Sequence, residues 1–241
     1  MVLRFYADDS GGSKNDRLRV TGYLMTDKQW LSIDGEIAAA LGDLKWFHMK
    51  EGNHVENPEA YKQLLAAIRP ESVMAGFSVS LGLEDYNIAF KNGKKGNSIV
   101  QKVGTPYGLL LRRLLDMCGI WLVASGRTTD WIAYCFESGH PNSGDAHRFM
   151  EQLSTGKIVL PRLKARYASH NFLAKAGPYS KALIPADILA WHLTRWNRKG
   201  PQPAELTHLL KVATRYEDLT YANLMAIGKR VGQPGAISHA R

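Results

Sequence analysis

Asp8, Glu137 and Asp187 are the residues whose types and surroundings are best suited to chemistry. Asp8 closes an apolar, aromatic run, Leu3-Arg4-Phe5-Tyr6-Ala7, and is followed by a second acid, Asp9, and the turn residues Ser10-Gly11-Gly12. Glu137 ends another apolar run, Trp131 to Phe136. Asp187 falls in the first turn of a predicted helix that carries Ile184, Ile188, Leu189, Trp191 and Trp196. Two strand ends and one helix start can meet at a point above a sheet. Carboxylates brought that close repel one another, and one retains its proton unless a divalent cation lies between them. Hard oxygen ligands suit Mg²⁺ or Mn²⁺ rather than zinc. Two such ions a few ångströms apart activate water and stabilise the leaving oxygen of a phosphodiester.

Each acid also has a plainer role open to it. Asp8 and Asp9 can cap the turn that follows them. Glu137 can pair with an arginine, and Asp187 is favoured at a helix start by the macrodipole alone. Other polar residues are placed to complete a site. His48 and Glu51 follow a short extended segment, Trp46 to Met49, where one of them can orient a water or fill a third ligand position. His140, Asn142 and Asp145 follow Glu137 closely. As structural or surface residues these histidines would need only a hydrogen-bond partner.

Those side chains need a scaffold, and periodicity predicts one. Leu3 to Asp8 and Leu18 to Met25 read as strands of an antiparallel hairpin, with Ser10 to Asn15 as its turn. Asp27 is placed to cap a helix that runs to about Leu41, and Pro58 opens a helix to Ile68. Ser72 to Leu81 alternates as a strand does. Thr105-Pro106 opens a long helix through Cys118, with Leu109, Leu110, Leu114 and Leu115 at helical spacing. Trp131 to Phe136 is a buried strand, and Gly144-Asp145 begins a helix reaching about Leu153. Pro185 opens the helix Ala186 to Arg198, and a last helix runs from about Tyr216 to Arg230. A hairpin followed by alternating strands and helices predicts an α/β fold with a mixed sheet and a largely helical C-terminal part. Residues 1–232 are expected to form a single domain with helical insertions, and 233–241 a frayed tail.

At 241 residues the chain can bury a full core. No apolar run approaches the ~18–20 residues that span a bilayer, and the start of the chain carries no signal-peptide pattern, so a cytoplasmic protein is expected. Cys118 and Cys135 have neither zinc nor CxxC spacing and read as buried thiols. The formal net charge is +9, and residues 151–200 concentrate it, with nine Lys/Arg against two acids. A basic stretch of that density suits a polyanion such as DNA or RNA, although a solvated surface has the same composition. Lys164, Arg166 and Lys181, which precede the Asp187 helix, and Arg195 within it are the expected phosphate contacts. Tyr6, Trp46 and Trp191 suit the core better than a base-stacking surface.

Tyr6-Ala7-Asp8-Asp9-Ser10-Gly11 resembles the opening Y-x-D-E-S-G of the bacterial family called domain of unknown function 3800. Pro185-Ala186-Asp187-Ile188-Leu189-Ala190-Trp191 resembles the family's closing helix, Phe47-His48-Met49-Lys50-Glu51 its F-H-x-x-E stretch, and Phe136-Glu137-Ser138-Gly139 falls where it has an acid after a central strand. The resemblance implies a ribonuclease-H-like sheet in which Asp8, Glu137 and Asp187 hold the metals. The chain departs from the pattern in having Asp9 in place of Glu and Ile184-Pro185 in place of Leu-Gln. The expected function is a Mg²⁺- or Mn²⁺-dependent nuclease, with Asp9 as a supporting acid. The rivals are a non-catalytic effector module on the same fold and a hydrolase of a small phosphorylated molecule. Other chemistries lack their motifs. There is one D-S-G where an aspartic protease needs two, and there is no P-loop spacing, G-x-S-x-G or H-E-x-x-H.

Overall fold

The computed structural model describes residues 1–12, 15–91, 104–138, 143–156, 167–174, 180–196, 200–212 and 214–232. It is an α/β fold with a mixed six-stranded sheet flanked by helices, in the order β5-β4-β1-β2-β3-β6. The strands are β1 (Val2–Gly12), β2 (Asn15–Thr26), β3 (Ala75–Gly82), β4 (Trp131–Ser138), β5 (Tyr167–Ala174) and β6 (Thr214–Leu219). The expected hairpin is present: β1 and β2 pair antiparallel, with Asp8 opposite Thr21. β3 continues the antiparallel run against β2, while β4 lies parallel to β1, β5 parallel to β4, and β6 parallel to β3.

Side chains of a strand alternate between its two faces, and here the alternation separates two cores. Leu3, Phe5 and Ala7 of β1, with Ile132, Tyr134 and Phe136 of β4, enter a core that includes Leu110, Leu114 and Leu115 of the long helix. Tyr6 of β1 enters the opposite core, with Ile188 and Leu189, and Cys135 of β4 packs against it. Asp8 and Glu137 have the parity of Tyr6 and Cys135, so both face this second side.

The α-helices among the described residues are α1 (Asp27–Leu41), α2 (Asn53–Glu56), α3 (Pro58–Ala67), α4 (Leu83–Phe90), α5 (Pro106–Ala124), α6 (Ser143–Ser154), α7 (Ile184–Arg195), α8 (Ala204–Leu209) and α9 (Tyr221–Gly232). Thr105 caps α5 by accepting from the Gly108 N–H at 3.1 Å, as its sequence predicts. α1 is capped differently from expectation: Thr26, not Asp27, accepts from the Gln29 N–H, and the Gln29 side chain returns the bond to the Thr26 N–H. This reciprocal arrangement satisfies two donors where Asp27 alone would satisfy one.

Other boundaries shift for local reasons. β1 and β2 pair to within a few residues of the turn, so Ser10 and Gly11 belong to strand rather than turn. Tyr216 to Leu219, read as the start of a helix, form the end of β6, because the β3 edge offers them a parallel partner. β5, α2, α4 and α8 carry no strong periodic signal and escape the sequence reading. Of the other expectations, His140, Asn142, Lys164, Arg166 and the tail 233–241 lie outside the described residues, as does the side chain of Asp145. Among the described residues no helix is long and apolar enough to cross a membrane. Cys118 is buried and Cys135 partly so, and both are free thiols.

Candidate metal centre

The register of the two central parallel strands positions the first pair of acids. Ala7 pairs with Phe136, so the next step along both strands brings Asp8 and Glu137 side by side on the second face. Glu137 lies close enough to Asp8 to raise the pKa of its carboxyl. The third acid arrives from above the sheet. α7 crosses β1 and β2 with its N-terminus over their polar ends, and Asp187 in its first turn is 4% exposed. Asp8 is 3% exposed.

A short turn completes the enclosure. Met49–Glu51 form a single 3-10 turn with His48 as the residue before it. The Met49 N–H donates to Asp187 Oδ2 at 2.8 Å, and the His48 N–H donates to Asn53 Oδ1 at 2.8 Å. These bonds tie the turn to both α7 and α2. His48 Nε2 then lies 3.7 Å from Asp187 Oδ1. A small cleft results, lined by Asp8, Phe47, His48, Glu137, Leu183, Ile184 and Asp187.

The electrostatics of Asp8 are strained in one direction. Its carboxyl is held well above the usual range, first by burial, then by the Glu137 side chain, then by the charges of Asp187, Glu137 and Asp9. The neighbours that act on it most strongly are all acids. A second proton or a divalent cation relieves such a cluster. Tyr107, at the start of α5 on the other side of the sheet, feels the same field. Burial, and then Asp9, Asp8 and Glu137, push its phenol up.

The residues fit a divalent cation. Asp8, His48 and Asp187 each bring a ligand atom to within 4.8 Å of the others, and so do Asp8, Asp9 and Glu137. Asp9 belongs by strand parity to the opposite face, yet at the end of the sheet its carboxylate still reaches the group. Its N–H also donates to Asp8 Oδ1 at 2.7 Å, fixing that oxygen.

The remaining expected residues are placed elsewhere. Glu51 is exposed at the end of the 3-10 turn and belongs to neither group. Lys181 pairs with Asp34 at 2.9 Å. Arg195 is exposed and lies over the Trp191 ring at 4.3 Å. It lies eight positions along α7 from Asp187, about 12 Å at the helical rise. Tyr6 packs on Trp30, 5.0 Å between ring centroids, and is core. The Met49 amide, Asn53 and Tyr107 also border the site, and none is marked in the sequence. A backbone donor leaves no trace in residue type, and only the position of Tyr107 directly after the Thr105-Pro106 helix start placed it near a strand end.

Compared with models of known protein families the chain matches none, and no curated protein is recognisably similar to it.

Proposed function

We propose that the chain is a divalent-metal-dependent phosphodiesterase acting on DNA or RNA, with Asp8, Glu137 and Asp187 as the metal-holding carboxylates. The observation that carries this reading is the convergence of these acids, from two parallel strands and one helix start, around a buried Asp8 whose strongest neighbours are negative. Mg²⁺ or Mn²⁺ bound there would supply an activated water and neutralise charge on the leaving oxygen. The chain's own contribution is orientation. The Asp9 amide fixes one oxygen of Asp8 and the Met49 amide one oxygen of Asp187. Phe47, Leu183 and Ile184 bound the cleft with apolar surface, which strengthens every charge interaction inside it.

The placement of the acids on the first strand, at the end of a later strand and on a late helix agrees with the ribonuclease-H-like reading of the sequence. The net charge of +9, concentrated in residues 151–200, favours a polyanionic substrate over a small phosphorylated molecule.

The test is cleavage of plasmid DNA and of RNA by the purified chain with Mg²⁺ or Mn²⁺. Asp8→Asn and Asp187→Asn are expected to abolish cleavage while the circular dichroism spectrum stays native. Cleavage unchanged in both variants would remove the proposed site. Salt-sensitive nucleic-acid binding without turnover in any divalent metal would reassign the chain as a binding module.

A further inference from the structure

Asp8 belongs to two sets of converging side chains, and the sets are chemically unlike. Asp8, His48 and Asp187 combine an imidazole with two carboxylates, and all of them are buried. Asp8, Asp9 and Glu137 are carboxylates only, with Asp9 and Glu137 partly exposed.

Two positions sharing Asp8 are what the two-ion reading above already implies; we propose that His48 Nε2 ligates the inner one, making it selective for a first-row transition ion over Mg²⁺ while the outer one takes Mg²⁺. The inference rests on the carboxylate-held metal reading above and adds the identity of the ion at each position. Three features support it.

The first is distance. His48 Nε2 and Asp187 Oδ1 are 3.7 Å apart, too far for a hydrogen bond. Around an octahedral ion with bonds of about 2.1 Å, adjacent ligand atoms are about 3.0 Å apart and opposite ones about 4.2 Å. The observed separation lies between these, so one ion can join the two atoms with little movement.

The second is orientation. The dipeptide His48-Met49 supplies both a ligand and the donor that orients the next ligand. The Met49 N–H occupies Asp187 Oδ2 at 2.8 Å, which leaves Oδ1 as the oxygen on the His48 side. His48 is itself held by its N–H bond to Asn53 Oδ1 at 2.8 Å, with its backbone extended at φ −147° and ψ 126°. Outer contacts of this kind fix the geometry of metal ligands.

The third is the preference of the ions. Imidazole nitrogen binds transition ions better than it binds Mg²⁺, and affinity for them rises from Mn²⁺ onward along the first row. Mg²⁺ dehydrates reluctantly and keeps several waters. A buried position beside Phe47 and Ile184 has little room for those waters. The partly exposed outer position, all oxygen, suits them.

The test uses the full chain, stripped of metal and titrated with Mn²⁺ and separately with Mg²⁺ by calorimetry, with pulsed electron paramagnetic resonance on the Mn²⁺ form. Wild type should show modulation from a coordinated nitrogen. His48→Gln puts an oxygen or amide nitrogen near the place of Nε2. It should lose the imidazole modulation and about 10- to 100-fold in Mn²⁺ affinity at the tighter position, with Mg²⁺ affinity unchanged. His48→Asn serves the same test if the first variant does not fold, judged by its melting curve. Imidazole modulation that persists in a folded variant, or equal losses of Mn²⁺ and Mg²⁺ affinity, overturns the inference and leaves the carboxylate reading standing. Asp8→Asn separates the two: Mn²⁺ binding as tight as wild type in that variant removes both.

Discussion

The main-chain N–H of Met49 holds Asp187 Oδ2 at 2.8 Å across 138 positions of sequence. The bond is buried, and it is the point where a loop after α1 meets the start of α7. It fixes the rotamer of the acid and closes the cleft on the side away from the sheet.

This bond separates the structural role of Asp187 from its charge. Asp187→Ala leaves the Met49 N–H buried without an acceptor, and the expected loss of stability is about 1–3 kcal/mol. Asp187→Asn keeps an oxygen for that donor and should unfold close to wild type, while losing divalent-metal binding. Urea denaturation of both variants checks the first part and calorimetry with Mn²⁺ the second. Equal stability of the two variants would show that the bond contributes nothing.

Asp8 gives a pH dependence of unusual sign. Its folded-state pKa is raised well above the ordinary 3.8, so between these values the native state binds more protons than the unfolded state. Stability from this group is therefore full below the ordinary value and is lost as pH rises through the raised one. The metal-free protein should melt at a lower temperature relative to Asp8→Asn as pH increases through that window, and at pH 8 the variant should be the more stable. Saturating Mg²⁺ should reverse the order, since a ligand at a hundredfold its Kd adds about 2.7 kcal/mol to the native state alone. Thermal melts from pH 4 to 8, with EDTA and with Mg²⁺, measure this. An Asp8→Asn protein less stable than wild type at pH 8 in EDTA contradicts it.

Gly22 is a scaffold position on which the first strand depends. It pairs with Ala7, one step before Asp8. A Cβ there would sit 2.8 Å from the Tyr6 carbonyl oxygen and would also meet the Phe5 ring. Backbone cannot move aside without shifting β1. Gly22→Ala should cost about 1–3 kcal/mol and weaken Mn²⁺ binding as well, because the shift moves Asp8. Normal Mn²⁺ affinity in a destabilised variant would show that β1 accommodates the methyl group without moving the acid.

The central acids were legible because apolar runs and helix starts are marked by residue type. Apolar runs stopped by Asp8 and by Glu137, and Pro185 just ahead of Asp187, fixed which elements carried them. Strand alternation was legible too, but the β1–β4 register that gives Asp8 and Glu137 a common face was not. What could not be read was anything decided by tertiary partners. β6 forms because β3 has a free edge, although Tyr216 to Leu219 continue smoothly into helical periodicity. Arg19 looks like a surface residue of β2 but is 2% exposed, donating to Ser78 Oγ at 2.8 Å and to Asp218 Oδ1 at 3.3 Å. Those partners lie 59 and 199 positions away. The split of functions around His48 was likewise hidden, since its neighbour Met49 acts through the backbone.

The most direct measurement is anomalous diffraction from crystals of the full chain soaked in Mn²⁺. A Mn²⁺ peak is expected within bonding distance of carboxylate oxygens of Asp8 and Asp187, with the first ion touching His48 Nε2 and a second, weaker peak between Asp8 and Glu137. A protein that binds Mn²⁺ in solution but shows no peak at Asp8 would contradict it.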